Sequence, residues 1–285
     1  KKNKLDILPL LKLIKTYFEP MLKKYKWGTN PYYYLAGKYG IHPTYIQSMI
    51  VGNFDNEEIL GTIDQLKHGE GRRYNIGLVR SDFQKPMKLT EGNWLPSKKI
   101  KNKKVLILAS GPKAIDYKNE LEKYIKLKKP FVIALNTTVS INAKLIDVFA
   151  ACHPLRLIAD ANLYKSLTSP LVVPISFLSH SLKKKFKNLK LLDFGIGIKE
   201  NHFEFHKSGA VVPRLYALAY ALSIATSGGA SKILLAGFDG FGIHDRRTKT
   251  IDELLALYSS FKSAKPVVAV TPTSYSVDST SIYAL

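Results

Sequence analysis

Apolar and polar positions change their period near residue 103. Before that point apolar residues recur every three or four positions, and Leu5, Leu8, Leu11, Ile14 and Phe18 share one helical face. Pro20 lies between two such stretches, where a residue without an N–H kinks or ends a helix. A turn is expected at 27–31. Helices follow from Tyr32 to Gly40, from His42 through Ile46, and from Asn56 with Ile59, Ile63 and Leu66 on one side. The Tyr32, Tyr33 and Tyr34 cluster suits packing better than ligand stacking. No period holds over 81–102, which Pro86, Gly92, Asn93, Pro96 and Ser97 punctuate as a linker.

From Lys103 short, unbroken apolar runs alternate with longer helical patterns. The runs 105–109, 131–135, 148–152, 171–173, 189–192, 232–236 and 267–270 predict strands. The stretch after Lys113, then 210–225 and 251–261, predict helices. Runs without alternation are covered on both faces. The expected class is therefore α/β: a Rossmann-like, mainly parallel sheet with helices on both faces, preceded by a small all-helical domain. The expected domains are 1–80, a linker at 81–102, and a nucleotide-binding domain at 103–285.

With 285 residues, 46% of them apolar, the chain can hold one large domain or two smaller ones. It begins at Lys1 rather than Met, which is read as a fragment of a longer protein. No stretch has the length of a membrane span, and the start lacks a signal-peptide core. One cysteine excludes a disulfide framework and a Cys-based zinc site, so a reducing cytoplasm is expected. The net charge is +21, with runs at Lys1-Lys2, Lys98-Lys99, Lys103-Lys104 and Lys183-Lys184-Lys185. A solvated basic surface explains such charge, and so do anionic sugar substrates handled beside an anionic inner membrane. Zinc-finger and RNP-type patterns are absent from the sequence, so no specific nucleic-acid partner is expected.

Ligands of open α/β sheets bind outside the carboxyl ends of the strands. That rule selects five polar turns: Ser110-Gly111-Pro112, Asn136-Thr137-Thr138, His153 to Arg156, Gly237 to His244, and Thr271-Pro272-Thr273-Ser274. At the first, a strand, a glycine turn and a helix start offer amides to a nucleotide phosphate. An ordinary strand-to-helix connection reads the same way. Asn136 carries donor and acceptor groups for a base or ribose. Arg156 suits phosphate or carboxylate, or simply the surface. His153 is a candidate substrate contact or a turn residue. Ser208-Gly209, ahead of the helix expected from 210, is a second anion site or a plain cap. His244 is the candidate general base, with Asp239 or Asp245 to orient it. Asp239 is also a candidate magnesium ligand. No Asp-x-Asp pair follows any expected strand.

Two resemblances join these motifs. The pieces 105–112, Leu135-Asn136, Ser208-Gly209, 233–239, His244 with Thr250-Ile251-Asp252, and 268–274 followed by Ile282 resemble the bacterial sialyltransferase family that uses CMP-sialic acid. The resemblance covers 103–285. It implies CMP bound by Gly111 and Asn136, His244 as the base, and a reaction without metal. The chain departs from that pattern at His153 to Arg156 and at Arg246-Arg247. A related group with the same order of elements is the archaeal-type 6-hydroxymethyl-dihydropterin diphosphokinases, which implies ATP and Mg²⁺ with Asp239 near the metal. In the N-terminal part, Tyr25 to Tyr32 and Ile41 to Gln47 resemble the helical tail of aldolases related to hydroxymethylglutaryl-CoA lyase and 4-hydroxy-2-oxovalerate aldolase. That implies a lyase barrel preceding this chain, with His42 a structural helix-start residue.

The leading expectation is a metal-independent glycosyltransferase without cofactor. It would move an acidic, ulosonic- or sialic-type sugar from a CMP donor to a surface-glycan acceptor, and a homo-oligomer is compatible with it. The alternatives are an ATP- and Mg²⁺-dependent diphosphokinase-like enzyme and a non-catalytic nucleotide-binding module that regulates a fused aldolase.

Overall fold

The computed structural model describes residues 8–25, 30–51, 54, 56–67, 87–178, 180–241 and 245–285. The chain divides into two compact units, Lys1–Asp82 and Phe83–Leu285.

In the first unit, α1 (Leu8–Leu13), a π-helical turn (Ile14–Phe18) and α2 (Glu19–Tyr25) run as one helical stretch. Pro20 does not end it. The turn before it closes with the Glu19 N–H donating to the Ile14 carbonyl, and such wide turns let a helix absorb a local irregularity. Leu10, Leu11, Ile14, Tyr17, Met21 and Leu22 on this stretch are exposed. Next, α3 (Pro31–Tyr39) starts under an Asn30 cap that accepts from Tyr32 N, and ends at Gly40 in the left-handed conformation. Helices α4 (Pro43–Val51) and α5 (Asn56–Leu66) follow. The core of this unit holds Ala36, Ile41, Tyr45, Ile46, Met49, Ile59, Ile63 and Leu66. Tyr32 and Tyr33 are half-buried whereas Tyr34 is exposed. The His42 Nδ1 accepts from the Thr44 amide at 3.4 Å, a bond at the start of α4.

The second unit contains two sheets. The larger has seven parallel strands in the order β11-β10-β2-β3-β4-β5-β6. These are β2 (Lys104–Leu108), β3 (Phe131–Leu135), β4 (Val148–Ala150), β5 (Leu171–Val173), β6 (Leu191–Asp193), β10 (Lys232–Ala236) and β11 (Val267–Ala269). Successive side chains of a strand point to opposite faces, and all five residues of β3 are buried, so helices cover both faces. The expected α/β, Rossmann-like class is what the strands form. From β2 the chain steps outward through β3 to β6, then returns to the other side of β2 with β10 and β11. The direction of travel therefore reverses between β2 and β10.

The smaller sheet, ordered β1-β7-β9-β8, lies outside what the sequence pattern predicts. It comprises β1 (Met87–Thr90), β7 (Gly195–Ile198), β8 (Glu204–Phe205) and β9 (Gly209–Val212). Two readings change with it. First, 210–212 is strand, and the helix α12 (Ala217–Ser227) begins later than expected. Pro213 explains this: it has no N–H for a helix interior and pushes Val212 out of helical geometry. Second, the stretch read as a linker contributes β1 and α6 (Ser97–Ile100), with Ile100 wholly buried and Trp94 edge-on to Phe194 at 6.4 Å. Its period is invisible because only four residues are strand and a bulge interrupts the pairing with β7.

The remaining helices of this unit are α7 (Pro112–Asp116), α8 (Lys118–Lys128), α9 (Pro154–Ala159), α10 (Ala161–Tyr164), α11 (His180–Lys185) and α13 (Arg246–Ser259). The helix expected from Lys113 is broken at Tyr117. Ile115 is consequently exposed, whereas Ala114, Leu121 and Ile125 are buried. No helix among the described residues is long and apolar enough to cross a membrane.

Candidate functional site

The direction of travel reverses between β2 and β10, and the carboxyl ends of the strands at such a reversal are where sheets of this kind bind ligands. The two exit loops are laced together. Ala109 N donates to Ala236 O and Gly111 N to Gly237 O, both at 2.9 Å. Contact this close requires glycine. A Cβ on Gly111 would stand 2.3 Å from Gly237 O, and one on Gly237 would stand 2.4 Å from Ala109 O. Gly237 also has φ +73°, which side-chain-bearing residues avoid.

Asp239 packs against the β2 exit in a role the sequence did not predict. Its Oδ2 accepts from Lys113 N at 2.8 Å, in the first turn of α7. A helix start favours a negative charge; here the protein's own carboxylate supplies it. One of the amides expected to meet a phosphate above Gly111 is therefore engaged, and a phosphate beside it would meet like charge. Asp239 Oδ1 is buried and has no hydrogen-bond partner among the described residues. The Lys113 ammonium bonds Asp116 at 2.9 Å and also feels Asp239; the Asp116 bond raises its pKa.

The β11 exit braces the same loop. Gly237 N donates to Thr271 Oγ1 at 3.0 Å, the Thr273 hydroxyl donates to Phe238 O at 2.5 Å, and Ser274 N donates to Asp239 O at 3.0 Å. Thr271, Thr273 and Ser274 thus bond the 237–239 loop, with both threonine hydroxyls engaged by backbone. On the other side of β2, Asn136 closes β3 with φ +53°. Its amide N–H donates to Ala150 O, while its side-chain Oδ1 is buried without a hydrogen-bond partner among the described residues. Ser110, Pro112 and Thr137 stand on these same two loops.

Other expected members stand apart from these loops. His153 is buried at the start of α9 and Arg156 half-buried on it, at the exit of β4, two strands from β2. Burial raises the thiol pKa of neighbouring Cys152 strongly. Ser208 and Gly209 lead into β9 rather than a helix, so the second helix-start anion site is not formed by them; α12 starts after Tyr216. The Ser208 hydroxyl instead donates to Glu91 Oε2 at 2.7 Å. His244 lies outside the described residues. Asp245, one of the two acids expected to orient it, caps α13 and holds Arg247 at 2.8 Å, which lowers its carboxyl pKa. The Arg247 guanidinium lies 4.0 Å over the Phe241 ring.

The sequence reading also missed a polar cluster on the small sheet. His206 Nε2 is 2.9 Å from Glu204 Oε1, and its Nδ1 is 3.9 Å from Glu91 Oε1. His202, Glu204 and His206 alternate at strand spacing, a signal visible in the sequence once β8 is known. Among the described residues no group of three or more His, Cys, Asp or Glu could hold a metal.

No protein-family model and no curated protein matches the sequence. Among solved structures, the chain is similar to the MAf glycosyltransferase from Magnetospirillum magneticum AMB-1, with a TM-score of 0.43 and 13% identity. The likeness covers 74% of this chain and 38% of that one, so the chain spans well under half that protein's length. The topology described above rests on the strand pairing of this chain itself.

Proposed function

We propose that the second unit is a metal-independent glycosyltransferase that moves an acidic, ulosonic- or sialic-type sugar from a CMP donor to a surface-glycan acceptor. The observation that carries the nucleotide part is the reversal of the sheet's direction beside β2, with Gly111, Asn136, Asp239 and Thr271 on adjoining strand exits. The sugar part rests on chemistry and on the resemblance of 103–285 to CMP-dependent transferases. A CMP leaving group departs as a phosphate monoester and needs no metal clamp, consistent with a sequence that has no Asp-x-Asp pair after a strand. The net charge of +21 favours acidic substrates. His244 is the base that deprotonates the acceptor hydroxyl.

One observation favours a second reading. The buried Asp239 Oδ1 is an acceptor that a magnesium ion in an ATP-dependent diphosphokinase would use. A thermal-shift panel of CMP, CDP, UDP, ADP and ATP, each with Mg²⁺ or with EDTA, separates the two, because a ligand of the folded state raises its melting temperature. Stabilisation by CMP that EDTA leaves intact supports the transferase. Stabilisation by ATP that EDTA abolishes supports the kinase. With a confirmed CMP-sugar donor, His244→Ala is expected to lower turnover by about 10²–10⁴-fold; unchanged turnover would remove His244 from the chemistry.

A further inference from the structure

The helical stretch 8–25 of the first unit leaves its apolar side chains in solvent. Leu10, Leu11, Ile14, Tyr17, Met21 and Leu22 are between 39% and 61% exposed, and no residue of α1 or of the π-helical turn is buried. From Leu10 through Ile14 and Tyr17 to Met21 they recur at steps of three and four, the spacing of one side of a helix. Apolar side chains gathered in this way mark a docking surface. Charge indicates what docks. Lys12, Lys15, Lys23 and Lys24 fill positions between them, against a single acid, Glu19. Lys1, Lys2 and Lys4, with Asp6, precede the stretch in the sequence.

An apolar side beside a lysine-rich one is the build of a helix that lies in a lipid–water interface. Two other occupants fit less well. A span across the bilayer is ruled out by the interrupting lysines and glutamate, and no helix among the described residues is long and apolar enough for it. A second copy would need a regular seam of knobs in holes, which the π-helical turn and Pro20 disrupt. It would also set lysine beside lysine with only Glu19 to offset them. A lipid surface demands no register and supplies the opposite charge. We propose that residues 8–25 form an interfacial anchor that lays the first unit on an anionic phospholipid membrane. Leu10, Ile14, Tyr17 and Met21 enter the acyl boundary, and Lys12, Lys15 and Lys23 meet the headgroup phosphates. None of the strand-exit loops of the second unit takes part, so the anchor is tested separately from the nucleotide reading.

Flotation of the full chain with phosphatidylcholine vesicles, and with vesicles in which phosphatidylglycerol replaces a third of the lipid, provides the test. Binding to the anionic vesicles is expected to be at least about 10-fold tighter and to weaken with salt, which screens headgroup charge. Lys12→Gln, Lys15→Gln and Lys23→Gln together should weaken it about 10–100-fold. Leu10→Ser with Ile14→Ser should do the same through lost apolar burial, about 10–100-fold, with the melting temperature unchanged because both side chains are exposed. Leu11→Ser with Tyr17→Ser should behave alike, which separates loss of the apolar side from misfolding of one variant. The apolar variants are decisive because a chain of charge +21 is drawn to any anionic surface. Anionic binding that both pairs leave intact would overturn the proposal and make the attraction a property of overall charge. Equal binding to neutral and anionic vesicles would overturn it too. So would binding to neither, which would leave the lysines to an acidic protein surface. A lipid-free dimer in analytical ultracentrifugation that the same pairs dissolve would give the surface to a second copy instead.

Discussion

Gly111, Asn136 and Asp239 show how far single residues were legible. Each is a small or polar residue just after an apolar run, and that contrast marked all three as site members. The direction in which Asp239 points was hidden, because its partner Lys113 N lies 126 positions away. Gly111→Ala should destabilise the second unit by about 1–3 kcal/mol, since its Cβ would meet Gly237 O at 2.3 Å and Asp239 Oδ1 at 2.5 Å. Urea unfolding would register the loss, and nucleotide affinity should fall with it. Tyr275, beside the same loops, gives a pH signature. Burial, then the nearby Asp252 carboxylate, raises its phenol from 10.0 to about 12. An acid whose pKa is higher in the folded state stabilises the fold fully below its unfolded value and loses that contribution as pH climbs to the folded one. Stability should therefore fall between pH 10 and about 12 by about 1–3 kcal/mol on this account. Melting curves of Tyr275→Phe across that range should show a shallower alkaline decline.

Elements were legible where one period dominated. The strands at 131–135, 171–173 and 232–236 match their apolar runs residue for residue, because a strand buried on both faces has no polar positions to blur it. The Ala-rich helix was placed too early, since alanine and leucine continue a helical pattern on either side of Pro213 while the proline alone carries the break. Helix α12 is anchored to α13 by a bond relay that no pattern displays. Lys265 N donates to Tyr258 Oη at 2.9 Å, Tyr258 pairs with Thr226 Oγ1 at 2.6 Å, and the Thr226 hydroxyl donates to Leu222 O at 2.8 Å. Tyr258→Phe leaves the Lys265 amide without its acceptor and should cost about 1–3 kcal/mol. Denaturant midpoints would fall, and nucleotide affinity, set at the opposite ends of the strands, should not change.

At the scale of the molecule the boundary between the units decides what folds alone. The residues once read as a linker complete the small sheet through β1 and put Ile100 into the main core. A fragment of 83–285 is expected to melt cooperatively and keep its ligand. One starting at 103 uncovers β7 and should lose the cooperative transition in calorimetry. The amino-acid sequence by itself determined the alternation of buried strands and helices, and hence that several polar turns gather at one rim, because hydrophobic period and turn chemistry are local properties. Strand order, the small sheet and the pairing of Asp239 with α7 were decided only by tertiary structure. Their deciding contacts, β2 with β10, β1 with β7 and Lys113 N with Asp239, join segments more than a hundred residues apart, whose energies no local stretch of chain contains.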